Sequence, residues 1–255
     1  MIKTTKAAVK TAAFLKQKKY RQERQEFLVE GIRAVEEAVE YGNTKTIFFV
    51  PTDDERVNAL LKKAEKKGIV ISEAYEGYMA QIADTSSPQG VIAVCGLPKY
   101  NLDDIFGTGK MILVLDRVQD PGNFGTMLRT ADAAGIGGVV ALSGSVDAFS
   151  SKAVRSSMGS LFHIPVVENI TEAEFLESSM HYHYETVTTA LIGGESIYDT
   201  KVNKKTAVIV GNEANGVSSV LFKSANKRVY IPMKGRAESL NVAVAAAIVL
   251  FELNR

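Results

Sequence analysis

Residues 111–125 read MILVLDRVQDPGNFG, and their reading decides the fold. Five apolar residues, Met111 to Leu115, run straight into a segment of Asp, Pro, Gly and Asn. A short continuous apolar run bounded by turn residues is the pattern of a strand covered on both faces. The same arrangement recurs at 207–216, AVIVGNEANG, and at 229–241, VYIPMKGRAESLN. Val139 to Leu142, Ile164 to Val167 and Val187 to Ile192 are further apolar runs, with helical patterns between several of them. Residues 111–255 are therefore expected to form an α/β unit around a parallel sheet. Ligands bind outside the carboxyl ends of the strands in such sheets. The three polar, glycine-containing loops are expected at that end.

Working outward, residues 1–96 form a second, smaller α/β unit. Leu28, Ile32, Val35 and Val39 recur at helical spacing and stop at Gly42. Ile47 to Val50 is a short strand. Thr52 and Glu55 form a capping box ahead of the stripe Val57, Leu60, Leu61 and Ala64, which ends at Gly68. Ile69 to Ile71 and Val91 to Cys95 are buried strands, and Cys95 is expected to pack in the core. Residues 97–110 carry Pro, Asn, Asp and Gly and predict a linker. A last helix over about 242–254 is apolar nearly all round, which suits burial or a subunit interface.

The chain has 255 residues, with 30 Lys and Arg against 29 Asp and Glu, for a net charge of +1. That total hides a split. The first 24 residues carry +7 and the remaining 231 carry −6. Lys3, Lys6, Lys10, Lys16, Lys18, Lys19, Arg21 and Arg24 are thus candidates to contact a polyanion. A solvated, lysine-rich helix face is the competing explanation. An apolar fraction of 46% excludes a disordered chain. The longest apolar run, Val242 to Phe251, is too short to span a bilayer. A single cysteine permits no intrachain disulfide, and no secretory leader is legible, so a cytoplasmic address is expected.

Several motifs point nowhere. Gly211 to Ser218, GNEANGVS, approaches a phosphate-binding loop but has Val217 where the lysine belongs. His181 and His183 lack neighbours to complete a metal set, and no metal is expected. What remains is the loop chemistry. Asn123, Glu213, Ser239 and Asn241 offer side-chain hydrogen bonds, and Arg129 and Arg236 offer fixed positive charge. Each alone serves equally as a turn or cap residue, and Asn241 suits a helix cap. Read from the residues alone, the chain holds a ligand site near three strand ends, beside a basic segment.

The motifs Asp120-Pro-Gly-Asn123-Phe-Gly125 through Arg129, Gly211-Asn-Glu213-Ala-Asn-Gly216 and Ile231-Pro-Met233 through Ser239-Leu-Asn241 resemble the SpoU (TrmH-type) RNA 2′-O-ribose methyltransferases of the SPOUT superfamily. Lys152 to Phe162 shares the likeness. Phe27 to Gly31 and Asp84 to Gly90 are similar to the substrate-binding domain that often precedes that catalytic domain. The resemblance implies a C-terminal trefoil knot, S-adenosyl-L-methionine as cofactor, a homodimer, and an RNA substrate. It implies cofactor contacts at Gly211, Ile231 and Leu240, with Leu191 and Ile192 as neighbours. It gives Arg129 the central catalytic place, with Asn123, Glu213, Ser239 and Asn241 orienting it and the ribose. Ribosomal RNA is the expected substrate. Transfer RNA and a non-catalytic RNA-binding role are the alternatives.

Overall fold

The computed structural model describes residues 1–190 and 193–255. The chain forms two units, residues 1–99 with 149–163, and residues 100–148 with 164–255.

The first unit contains β1 (Ile2–Lys3), α1 (Lys6–Phe14), α2 (Lys18–Arg24), β2 (Glu26–Glu30), α3 (Ile32–Tyr41), β3 (Thr44–Phe49), α4 (Glu55–Lys66), β4 (Val70–Glu73), α5 (Glu76–Ile82) and β5 (Val91–Gly96). Its sheet runs β1-β4-β3-β5-β2. β1, β4 and β3 are parallel, and β5 is antiparallel to both its neighbours. The capping box expected from Thr52 is not formed. Asp54 caps α4 instead, its carboxylate accepting from the Arg56 and Val57 N–H groups. The Thr52 hydroxyl accepts from the Asp54 N–H and so holds the capping residue.

The apolar residues of the basic N-terminal segment pack into this unit's core. Val9, Ala12 and Leu15 fall on one face of α1 at spacings of three, and pack with Leu28, Phe48, Met79 and Ile82. The Thr4 N–H donates to the Glu73 carbonyl at one end of α1. Lys16 Nζ donates to the Gln81 and Ala83 carbonyls at the other, 2.9 and 2.5 Å away. α1 and α5 therefore lie side by side in the same direction.

Cys95 in β5 is buried, and burial pushes its thiol up to about 12 against a weaker lowering by the Thr44 hydroxyl. At pH 8 the thiolate fraction is then on the order of one in ten thousand. The native protein is expected to resist alkylation by iodoacetamide, and urea is expected to expose the thiol. Rapid native labelling would contradict a closed core here.

The second unit contains α6 (Leu102–Phe106), β6 (Ile112–Leu115), α7 (Pro121–Ala133) and β7 (Val139–Leu142). The next helix, α8 (Ser151–Ser157), belongs to the first unit. The second unit continues with β8 (Val166–Ile170), α9 (Glu172–His181), β9 (Glu185–Thr189), β10 (Glu195–Ser196), β11 (Thr206–Val210), α10 (Ser219–Ser224), β12 (Lys227–Tyr230) and α11 (Val242–Leu253). The sheet is entirely parallel, in the order β10-β12-β9-β11-β6-β7-β8. β6 and β11 are its buried centre. From β6 the chain goes first to β7 and β8 on one side, then returns to the other. The loops after β6 and β11 thus diverge at a topological switch point, where such sheets open a crevice.

The span read as a linker carries structure. Asn101 and Asp104 form a capping box for α6. Phe106 is fully buried against Phe175, Tyr182 and Tyr184, 4.9–6.3 Å between ring centroids. The short stretch Leu102 to Phe106 is apolar enough to pack locally despite its polar surroundings, and Ile105 and Phe106 are fully buried.

The larger departure is residues 149–163, which lie within the second unit by sequence and in the first by contact. Phe149 and Phe162 pack on Phe27 of β2, at 5.0 and 6.1 Å between centroids. Arg155 pairs with Asp84 at 2.9 Å, and the His163 ring with Glu37 at 3.0 Å. Large aromatic side chains supply this attraction; the exposed ion pairs add little. A fragment ending at Lys99 is expected to melt well below the first unit of the intact chain and to bind a hydrophobic dye. An unchanged melt would show the segment to be dispensable.

Candidate active site

The site grows from the switch point. β6 ends at Leu115 and the next residue, Asp116, is buried. Its carboxylate accepts from the Ser218 N–H at 2.6 Å and from the Arg117 guanidinium at 2.8 and 3.1 Å. Arg117 holds φ = 56°, a left-handed backbone that is costly for a residue with a Cβ. Its carbonyl accepts from the Asn212 side chain at 2.9 Å. The strand-end loops after β6 and β11 are thereby tied together beneath the site.

α7 starts just beyond. Asp120 caps it by accepting from the Asn123 N–H at 2.7 Å, and Pro121 takes the first helical position, where no N–H is needed. Glu213, from the β11 loop, accepts from the Asn123 side chain at 3.1 Å and from the Gln119 and Asp120 N–H groups at 3.4 and 3.3 Å. The Asn241 side-chain amide donates to Asn123 Oδ1 at 3.0 Å. Its own Oδ1 caps α11, accepting from Ala243 and Val244. One chain, Glu213–Asn123–Asn241, therefore joins the three loops read from the sequence.

Electrostatics fixes what Glu213 can do. Burial works to raise its carboxyl, but hydrogen bonds from its own backbone, the Asn123 side chain, and the Gln119 and Asp120 N–H groups outweigh that and hold it below its ordinary value. It is a carboxylate at neutral pH with its oxygens engaged. That suits an orienting group better than a proton acceptor, which works best with a pKa near the operating pH.

Asn241 has both a cap and a site contact to lose. Asn241→Ala is expected to cost about 1 kcal/mol. In a chain of this size that lowers Tm by about 2–4 °C. Turnover should fall more than this shift explains, because Asn123 loses its partner. A wild-type melt would show the cap to be idle.

Beside this chain lies a cleft of about 640 Å³, within the size range of small-molecule sites. Its floor is apolar: Val210, Val229, Ile231, Leu240, Val242, Ala245 and Val249. Its rim is polar and exposed at Glu213, Glu238, Ser239 and Asn241, with Thr189 half-buried and Asn212 buried behind them. Gly211 lies against the Gly216–Val217 backbone, which a Cβ would meet at 2.2 Å.

The structure brings Asn123, Glu213 and Asn241 into one hydrogen-bonded chain, and Gly211, Ile231, Leu240 and Ser239 into one cleft. Leu191 and Ile192 lie outside the described residues. Arg129 is exposed on α7, six residues beyond Asn123, and among the described residues makes no hydrogen bond or ion pair. The basic segment divides. Arg21 is only 4% exposed, and its Nη1 donates to the Leu15 and Lys16 carbonyls. Lys16 holds α5, and Lys3 pairs with Glu73. Arg21 is therefore buried at the corner between α1 and α2, with its guanidinium on backbone carbonyls. Lys6, Lys10, Lys18, Lys19 and Arg24 face solvent. Sequence reading missed Asp116, Asn212 and Glu238. Asp116 had a usable signal, as the first polar residue after an apolar strand.

Fold and cleft define a class: a two-unit α/β protein with a small-molecule cleft at the strand ends of its parallel sheet. The SpoU rRNA Methylase family matches residues 110–251, and the MRM3-like substrate binding domain matches residues 6–93. The chain belongs to the SpoU rRNA methylase family. It is 39% identical over 237 residues to the Bacillus subtilis 23S rRNA (guanosine(2553)-2′-O)-methyltransferase RlmP, covering 92% of this chain and 91% of that protein. The AdoMet-bound rRNA methyltransferase of Sinorhizobium meliloti superposes with a TM-score of 0.87 at 33% identity, over 99% of this chain and 96% of that one. The TrmH/SpoU tRNA modifying enzyme of A. aeolicus superposes at 0.51 with 27% identity, over 60% of this chain and 80% of that one.

Proposed function

We propose that this protein transfers a methyl group from S-adenosyl-L-methionine to a ribose 2′-hydroxyl of ribosomal RNA. The observation that carries this reading is the Glu213–Asn123–Asn241 chain at the rim of the cleft. The rRNA-modifying relative aligns along nearly the whole chain, first unit included, whereas the tRNA-modifying enzyme covers 60% of it. That favours ribosomal over transfer RNA.

The cleft fits the cofactor. Its apolar floor suits an adenine ring, and Gly211, Ile231 and Leu240 line it where main-chain groups can approach a ligand. Bound there, S-adenosylmethionine supplies a methyl group already activated by its sulfonium charge. The protein's tasks are to align the hydroxyl and ease loss of its proton. Asn123, held from both sides by Glu213 and Asn241, orients the ribose. The Arg129 guanidinium stabilises negative charge growing on the 2′-oxygen. Ser239 hydrogen-bonds the reacting nucleotide at the rim.

Lys6, Lys10, Lys18, Lys19 and Arg24 hold RNA phosphates, which adds affinity without sequence information. On α11, Val244 and Phe251 are 48% and 55% exposed and Ile248 lies between them on the same stripe. An exposed apolar stripe on a closing helix supports a homodimer. The likeness to the SpoU methyltransferases supports a C-terminal trefoil knot as part of this proposal. Among the described residues no helix is long and apolar enough to cross a membrane, and likeness to bacterial rRNA methyltransferases supports a cytoplasmic address.

The test is to map 2′-O-methyl positions in total RNA with and without the protein. One ribosomal nucleotide should lose its methyl group in the deletion and regain it on complementation. A site in transfer RNA would redirect the substrate. An unchanged map would favour a binding protein without catalysis.

A further inference from the structure

Two aromatic residues of the basic segment have no part in methyl transfer. Phe14 ends α1 and Tyr20 lies in α2, and their rings stack 4.7 Å apart at 23°. The corner between the helices sets this geometry. The last carbonyls of a helix lack intrahelical partners. Buried Arg21 reaches back to the carbonyls of Leu15, which caps α1, and Lys16, the next residue, at 2.7 and 2.8 Å. That locks α2 against the end of α1 and brings the rings together.

Cations flank the pair. The Lys10 ammonium lies 5.8 Å over the Phe14 ring, and the Lys19 ammonium 5.8 Å over the Tyr20 ring. Both lysines are exposed, so each ring keeps a face that a mobile group can reach. At this distance, near the outer limit for a cation over a ring, each lysine is loosely held and readily displaced.

We propose that Phe14 and Tyr20 form a stacking platform for an unpaired base of the RNA, with Lys10 and Lys19 moving onto the flanking phosphates. This rests on the RNA-binding reading of the basic segment. It adds the kind of RNA: a loop, bulge or single strand rather than a continuous duplex. Only an unstacked base offers its face to an aromatic ring. An A-form duplex offers phosphates and 2′-hydroxyls, which would engage the lysines and leave the rings idle. Aromatic platforms beside basic side chains are the common means of holding single strands.

The first unit carries its own control. Tyr75 and Tyr78 at the start of α5 also form a surface pair, 4.1 Å apart, with Tyr75 58% exposed. Among the described residues no cation lies over either ring. That pair has the aromatic surface without the phosphate-binding partners.

The chain has no tryptophan, so a single introduced indole reports its own surroundings. In the full-length protein, Tyr20→Trp emission is expected to be quenched on titration with oligouridylate at low salt. It should stay unmoved with a blunt RNA duplex, while Tyr75→Trp responds to neither. The double variant Phe14→Leu/Tyr20→Leu, checked for a wild-type melt, should bind oligouridylate about tenfold more weakly, within the range for one stacked base. Its duplex affinity and salt dependence should hold, because no charge is removed. Lys10→Gln/Lys19→Gln should instead lower the salt slope by about one to two. Unmoved Tyr20→Trp emission during oligouridylate binding, or equal losses on both RNAs, overturns the platform while RNA binding stands. If wild-type protein binds neither RNA, the underlying RNA reading fails and the platform with it.

Discussion

Arg129→Ala is expected to lower the methyl-transfer rate by about 100-fold or more while S-adenosylmethionine binding stays near the wild-type value. Arg129 is exposed on α7 and makes no hydrogen bond or ion pair among the described residues. Its removal therefore leaves no buried partner stranded and should barely move the melt. Loss of one donor to a developing oxyanion typically costs about 10²–10³ in rate. Single-turnover transfer of a labelled methyl group would read the rate, and calorimetry the cofactor affinity. Arg129→Lys should recover only part, because an ammonium keeps the charge but not the planar fork. A wild-type rate in the alanine variant would remove Arg129 from the mechanism.

Gly211→Ala is expected to act at the opposite point, on cofactor binding and stability together. A Cβ at 211 would sit 2.2 Å from the Gly216 carbonyl carbon and the Val217 nitrogen, and 2.4 Å from the Gly216 oxygen. These are backbone atoms, and Asn212 and Gly216 are hydrogen-bonded to each other at 3.0 and 2.9 Å, so the loop cannot step aside locally. Overpacking of this kind costs about 1–3 kcal/mol. The same displacement widens the cleft wall, and cofactor affinity should fall about 100-fold, or about 2.7 kcal/mol. Gly216→Ala makes the comparison. Gly216 holds φ = 66° with open space around it, so its cost is backbone strain without collision. Equal cofactor losses in the two variants would count against the close-approach account of Gly211.

The strands of the parallel sheet were legible because continuous apolar runs followed by Asp116, Gly211 and Pro232 have few other solutions. The loops after them were legible as polar and glycine-rich. Their meeting was not. Glu213 lies ninety positions from Asn123 and Asn241 a further 28, and only the strand order carries them together. The burial of Arg21 was not legible, because a basic residue inside a basic run looks solvated, and its burial depends on the turn between α1 and α2. Residues 149–163 were misplaced for a related reason. Helical periodicity reports that a face will be buried, not which unit will bury it.

That borrowed segment has a consequence for synthesis. The ribosome releases the first unit's ninety-nine leading residues well before Phe149 and Phe162 exist. About sixty further residues separate Lys99 from His163, several seconds at ~5–20 residues per second. Throughout that interval Phe27 lacks its Phe149 and Phe162 cover, and the nascent unit carries an open apolar face. Rare codons between 100 and 163 would lengthen this exposed period, so translation speed across that span should govern how much of the protein reaches its folded state.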